Sequence, residues 1–177
     1  MSKSMRSAPA PLTTDGAAAT ATAPGDDAAF FPLDLLRARA DRLARMAAEA
    51  CRLHQHCAKL AEREDADPAE LLSMLELASV ADRLLGESAA AYAKAGAKLA
   101  PNGEGAEWWR HANALWLAAR EHVRRHSLGD RLSKRAGVEP SPERLTELHV
   151  EFSLEASALL SLRQAAEAYC KARPVAL

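Results

Sequence analysis

The sequence contains no isoleucine, and aromatic residues make up only 5% of its 177 positions. Strands favour β-branched and aromatic residues, so their scarcity argues against a sheet. Alanine, leucine, arginine and glutamate dominate instead, and these residues lose little side-chain freedom in a helix. With hydrophobic residues at 49%, the composition predicts an all-α protein with enough apolar surface for a core.

Other features that the sequence lacks argue against several classes of function. The 23 basic residues are balanced by 24 acidic ones, so the excess positive charge typical of a nucleic-acid-binding protein is missing. The sequence contains no stretch of about 20 consecutive apolar residues, so no membrane-spanning helix is predicted. The cysteines number three, and no secretory signal pattern precedes them, so we expect a cytoplasmic protein with reduced thiols. Glycine-rich phosphate loops, haem-attachment motifs and nucleophile elbows are absent, which leaves the usual nucleotide-dependent and α/β-hydrolase chemistries without support.

The chain divides into a tail and one domain. Residues 1–29 are mainly Ala, Thr, Pro, Ser, Gly and Asp, which offer too little apolar surface to offset the entropy of ordering. We therefore predict a disordered tail over residues 1–29 and a four-helix bundle domain over residues 30–177.

Apolar residues recur at steps of three and four in four segments, which predicts four helices. Their expected ranges are about 33–63, 68–99, 104–126 or beyond, and 142–171. The third helix either ends at Gly129 or continues to about Ala136. Short connections force neighbouring helices to be antiparallel, so the expected fold is an up-down-up-down bundle.

The first candidate site lies on the first helix, where Cys51, His54 and Cys57 follow one another at steps of three. This spacing places them on one side of the helix, and thiolate and imidazole groups are ligands for transition metals. A structural zinc site needs four ligands, so further histidines would have to contribute. Three are available for this: His122, His126 and His149. Alternatively, the cysteines are small buried apolar residues and no cofactor is bound.

A second candidate site is an interaction surface at the start of the third helix. Trp109 and Trp116 are seven residues apart and are expected to share the core face, whereas Trp108 points about 100° away and is expected to be partly exposed. Tryptophan is enriched at binding hot spots. The pattern therefore favours a partner-binding or dimer surface around Trp108, Arg110 and His111, with packing of all three tryptophans in the core as the alternative.

Acidic residues also recur on the fourth helix at steps of four: Glu143, Glu147, Glu151 and Glu155. The last of these drifts toward the core edge of the helix. A partly buried carboxylate of this kind can have a raised pKa and a function. More often it pairs with an arginine of a neighbouring helix.

Two short segments resemble known families. The segment from Arg120 to His126 resembles the Arg-x(4–6)-His element of HEPN ribonucleases, and the resemblance implies that this pair acts on the scissile phosphate of RNA. His56 and Lys59 resemble the His-x-x-Lys stretch of histidine phosphotransfer domains, which implies a phosphate acceptor at His56. Each resemblance covers only a few residues.

These observations predict a non-catalytic helical bundle that acts through protein–protein interaction, as an adaptor, an accessory subunit or a self-assembling component. The alternative is a bundle that binds a transition metal or a small cofactor through Cys51, His54 and Cys57. A HEPN-like ribonuclease is the third hypothesis. Neither a membrane nor a nucleic acid is an expected partner.

Overall fold

The computed structural model describes residues 27–96 and 106–172, and it describes the side chains of residues 33–96 and 107–172. Four helices make up most of these residues: α1 (Asp27–Ala61), α2 (Pro68–Gly96), α3 (Ala106–Val138) and α4 (Pro142–Ala172). No strand occurs in the described part of the chain, so the all-α prediction is confirmed. Of the predicted tail, residues 1–26 lie outside the described residues, whereas residues 27–29 belong to α1, which begins at Asp27 rather than at about residue 33.

Side-chain caps begin two of the helices where the sequence predicts them. Asp67 Oδ1 accepts a hydrogen bond from the backbone N–H of Ala69 at 2.9 Å, before α2. Ser141 Oγ accepts one from the backbone N–H of Arg144 at 3.3 Å, before α4. In both cases a proline occupies the first helical position, where its missing N–H costs nothing.

Gly129 lies inside α3 and does not end it, because α3 continues to Val138. At this glycine α4 comes close to α3. A Cβ atom at position 129 would lie 3.1 Å from Glu155 Oε2 and 3.5 Å from the Phe152 ring. Gly129 therefore serves close packing between two helices rather than helix termination.

The helices form two antiparallel hairpins, α1 with α2 and α3 with α4, whose contacts are more extensive than those between the hairpins. The two described connections, 62–67 and 139–141, lie at the same end of the bundle, which we call the loop end. Towards the opposite end, tyrosines join the hairpins. Tyr92 donates to Asn113 Oδ1 at 3.0 Å, and Tyr169 donates to Asp41 Oδ1 at 2.8 Å.

Small residues fill much of the bundle axis, which lets the helices approach closely. The fully buried apolar side chains include these five: Leu36, Leu43, Leu85, Leu115 and Leu162. Several alanines of α1 and α3 lie between them without any exposure. Among the described residues, no helix has the apolar length that crossing a membrane requires.

Candidate metal centre

A buried aspartate of α2 is surrounded by histidines of α1 and α3. Asp82 is only 3% exposed, and its Oδ2 atom lies 2.8 Å from His54 Nε2. Its Oδ1 atom lies 3.0 Å from Nε2 of His122, which is fully buried. The Nε2 atom of His126 lies 3.6 Å from Asp82 Oδ2. Two helices thus direct three imidazoles at one carboxylate.

The fourth helix contributes a second carboxylate. Glu155 Oε1 lies 2.8 Å from Nδ1 of His126, on the far side of that ring from Asp82. We call the five residues the histidine–carboxylate cluster: His54, Asp82, His122, His126 and Glu155. Every helix of the bundle supplies at least one member.

The local sequence explains this convergence. His122 and His126 are four residues apart, so both lie on the same face of α3. Asp82 occupies the core face of α2, between Ala78 and Leu85, which are also buried. Among the residues that the structure describes, Glu155 does not form the predicted pair with an arginine. The close approach of α3 and α4 at Gly129 places the Glu155 carboxylate beside His126 instead.

The cluster shifts the pKa values of two members. Burial raises the pKa of the Asp82 carboxyl, but hydrogen bonds from His122 and His54 outweigh burial and hold that pKa well below its ordinary value. The hydrogen bond with Glu155 raises the pKa of His126 above its ordinary value of 6.5, although burial opposes the change. Asp82 is therefore an anion at neutral pH, and protonated His126 is favoured in the metal-free protein.

These shifts predict how pH affects the stability of the metal-free protein. Because the pKa of His126 is higher in the folded than in the unfolded state, its stabilising contribution is complete below about pH 6.5 and is lost as pH rises through the folded pKa. We expect the free energy of unfolding, measured by denaturant titration with a chelator present, to fall as the pH rises from about 6.5 through the raised folded pKa of His126. His126→Gln is expected to flatten this dependence, and an equal slope in both proteins would contradict the assignment.

The geometry of the cluster fits a transition-metal ion. His54, Asp82 and His126 each offer a ligand atom, and the three atoms lie within 4.8 Å of one another. Nitrogen and oxygen ligands lie roughly 2.0–2.2 Å from zinc, so neighbouring ligand atoms of a tetrahedral site are separated by roughly 3–4 Å. Small side-chain shifts bring the present arrangement into that range.

The other two members support the ligands rather than compete with them. With a proton on Nδ1, His126 donates to Glu155 and presents Nε2 to a metal. The N–H at Nε2 of His122 donates to Asp82 Oδ1. Asp82 Oδ2 accepts from His54 Nε2 in the metal-free protein, and both atoms would be available to a metal once that proton is released. Such second partners fix the tautomer and orientation of metal ligands. His122 Nδ1 has no hydrogen-bond partner among the described residues.

Four of the five cluster members line a cleft between the hairpins, and Asp82 is not among its lining residues. The cleft has a volume of about 600 Å³ and is lined by residues of all four helices. His54, His122, His126 and Glu155 line its polar part. Its apolar lining comprises four side chains: Leu75, Phe152, Ala156 and Leu159. A metal bound by the cluster would therefore be accessible to a ligand from the cleft.

Of the three ligands predicted on α1, the structure brings His54 alone into the cluster. Cys51 is buried and its thiol donates a long hydrogen bond to the Leu159 carbonyl, with 3.9 Å between sulfur and oxygen. Burial raises the pKa of the Cys51 thiol to about 11 and also raises that of Cys57. Among the described residues, neither sulfur belongs to a group of three possible ligand atoms within 4.8 Å.

The predicted interaction residues lie near the start of α3, at the end of the bundle opposite the loop end. Trp108 is buried, contrary to the expected partial exposure, and the Arg37 guanidinium stacks over its ring at 5.6 Å. Trp109 is instead half-buried, since the core-facing side of α3 is rotated relative to the predicted stripe. Arg110 is exposed and His111 is half-buried. Partner binding at this surface stays a prediction.

The residues that carry the two short family resemblances lie in different surroundings in the structure. The Arg120 guanidinium is exposed and lies 4.9 Å over the Trp116 ring, whereas His126 is held in the histidine–carboxylate cluster. The exposed His56 lies on the same helix as His54 but outside the cluster.

No family model matches the sequence, and neither a curated protein nor a solved structure matches it.

Proposed function

We propose that the protein binds a divalent transition-metal ion through His54, Asp82 and His126 and exposes it to the cleft. The observation that supports the proposal is the convergence of these three ligand atoms from three helices within 4.8 Å. Desolvating a carboxylate and several imidazoles is costly, and a metal ion compensates for that cost.

The ligand set favours zinc or iron over other ions. Two imidazoles and one carboxylate bind Zn²⁺ in hydrolytic sites and Fe²⁺ in non-haem sites. Calcium and magnesium prefer sites made only of oxygen ligands. Structural zinc sites are closed by four protein ligands, whereas functional sites keep a position open. Because the cleft borders the cluster, this centre is of the open kind.

Replacing His126 with alanine tests the proposal. The change removes one of three ligands, so we expect the affinity for Zn²⁺, measured by isothermal titration calorimetry, to fall by about 100-fold or more. The wild-type protein is expected to bind one ion per chain.

The matched control is His56→Ala, which removes an exposed histidine of α1 outside the cluster. We expect this variant to bind Zn²⁺ as the wild type does. Equal losses in both variants would show adventitious binding to surface histidines, and wild-type protein without stoichiometric binding would overturn the proposal.

Protein–protein contact is a second candidate function, and exposed apolar side chains of α2 favour it. Leu77 and Val80 are 50% and 44% exposed and lie three residues apart on one face. Contiguous exposed apolar surface marks interaction sites, and these two side chains are neighbours on one face of α2. We propose self-association through this face.

Light scattering after size exclusion tests the self-association. The wild type is expected to have a mass above that of one chain, and the double variant Leu77→Glu/Val80→Glu is expected to be monomeric, because burying the added carboxylates is costly. Leu117→Glu, on an exposed position of α3, is the control and should leave the mass unchanged. A monomeric wild type would rule out self-association.

A further inference from the structure

We propose that the cleft above the histidine–carboxylate cluster binds a small, uncharged molecule with an apolar body, whose polar head completes the coordination of the metal. This inference rests on the proposed metal binding and names the class of ligand that the same centre takes.

The walls of the cleft supply the apolar contact. Leu75 of α2 and Phe152 of α4 belong to different hairpins and are 47% and 49% exposed. Leu159 and Ala156 extend the apolar surface toward the cluster. An apolar lining with a few convergent polar groups at one place is typical of small-molecule sites.

The size of the cleft fits a small molecule. Its volume of about 600 Å³ lies within the range of roughly 300–1,000 Å³ that such sites occupy. Residues of both hairpins line the space, and His54 and His126 are the proposed metal ligands among them, so the polar head of the ligand would point toward these two histidines.

The charges of the site favour an uncharged head. A divalent ion neutralises the carboxylates of Asp82 and Glu155. At the rim, Asp130 is already paired with Lys134, whose Nζ lies 2.7 Å from its Oδ2. None of the described residues that line this cleft is a lysine or an arginine. A phosphate or carboxylate head would therefore meet no lysine or arginine on the walls of this cleft.

Cobalt-loaded protein allows a direct test, because the visible absorption of Co²⁺ changes when a ligand enters its coordination shell. The probes are imidazole, phenylimidazole and phenylphosphonate. We expect phenylimidazole to bind roughly tenfold or more tightly than imidazole, since its ring is buried against the apolar walls. Phenylphosphonate is expected to bind more weakly than phenylimidazole.

A wall variant connects the preference to the cleft. Phe152→Ala, studied at saturating cobalt, is expected to reduce the preference for phenylimidazole over imidazole. Leu160→Ala is the control, since Leu160 is exposed on the same helix but does not line the cleft, and it should retain the full preference.

Different results would contradict the metal centre and the ligand class. Protein that gives no cobalt spectrum would contradict the metal centre itself. A normal cobalt spectrum with equal affinities for imidazole and phenylimidazole, or with tighter binding of phenylphosphonate, would leave the metal centre and overturn the ligand class. A preference that Phe152→Ala does not change would also overturn it.

Discussion

Replacing Asp82 with alanine is expected to abolish metal binding and to lower the free energy of unfolding of the metal-free protein by about 3 kcal/mol. Asp82 is 3% exposed and accepts hydrogen bonds from His54 and His122. Its removal leaves the fully buried His122 without a partner for Nε2, and an unsatisfied buried donor is costly. The same change removes the carboxylate that neutralises the metal.

Urea unfolding in the presence of a chelator measures the first effect, and zinc calorimetry measures the second. Asp130→Ala is the control, because Asp130 is an exposed aspartate that pairs with Lys134 on its own helix. Exposed pairs contribute little, so we expect its stability to change by less than about 1 kcal/mol. If the two aspartate variants behaved alike, the central position of Asp82 in the cluster would be contradicted.

Zinc is expected to stabilise the protein strongly against heat. At a free zinc concentration about 100 times the dissociation constant, binding to the folded state adds about 2.7 kcal/mol. For a domain of this size that corresponds to a rise in Tm of roughly 5–10 °C. Excess chelator is expected to return the Tm to its metal-free value.

The cysteines provide the discriminating variants for this thermal shift. The double variant Cys51→Ala/Cys57→Ala keeps all members of the cluster, so its zinc-induced shift should match that of the wild type. His126→Ala should lose the shift. If the cysteine variant lost the shift instead, the metal site would be the one suggested by the spacing of Cys51, His54 and Cys57.

The helices could be predicted from the sequence because their signals are local. A capping side chain followed by proline begins α2 at Pro68 and α4 at Pro142, and the structure begins both helices there. The end of α3 could not be predicted, because Gly129 signals termination by its local preference. In the structure α3 continues past Gly129, where Phe152 and Glu155 of α4 approach closely, and no local pattern contains that contact.

The candidate site could be predicted only in part. His54 was identified as a candidate ligand from its spacing of three residues from both Cys51 and Cys57. Asp82 was missed, although a charged residue at a core position of α2 is a signal that the sequence does contain. In the structure His126 lies beside both Asp82 and Glu155. These contacts depend on how three helices pack, and the spacing of residues within one helix does not specify that packing.

The burial of Trp108 could not be predicted from the spacing of apolar residues along α3. Two adjacent tryptophans cannot both point directly into the core, and the pattern assigned the core position to Trp109. In the structure Trp108 is 7% exposed and lies under Arg37, whereas Trp109 packs at the edge of the core. A rotation of about 100° about the helix axis separates the two alternatives, and contacts with α1 select between them.

X-ray absorption spectroscopy of the zinc-loaded protein tests the metal centre most directly, because it identifies the atoms bound to the ion. The account predicts only nitrogen and oxygen ligands at about 2.0–2.2 Å, with the outer-shell scattering of two imidazoles and no sulfur. A sulfur ligand at about 2.3 Å would contradict the account and would assign the metal to Cys51 or Cys57.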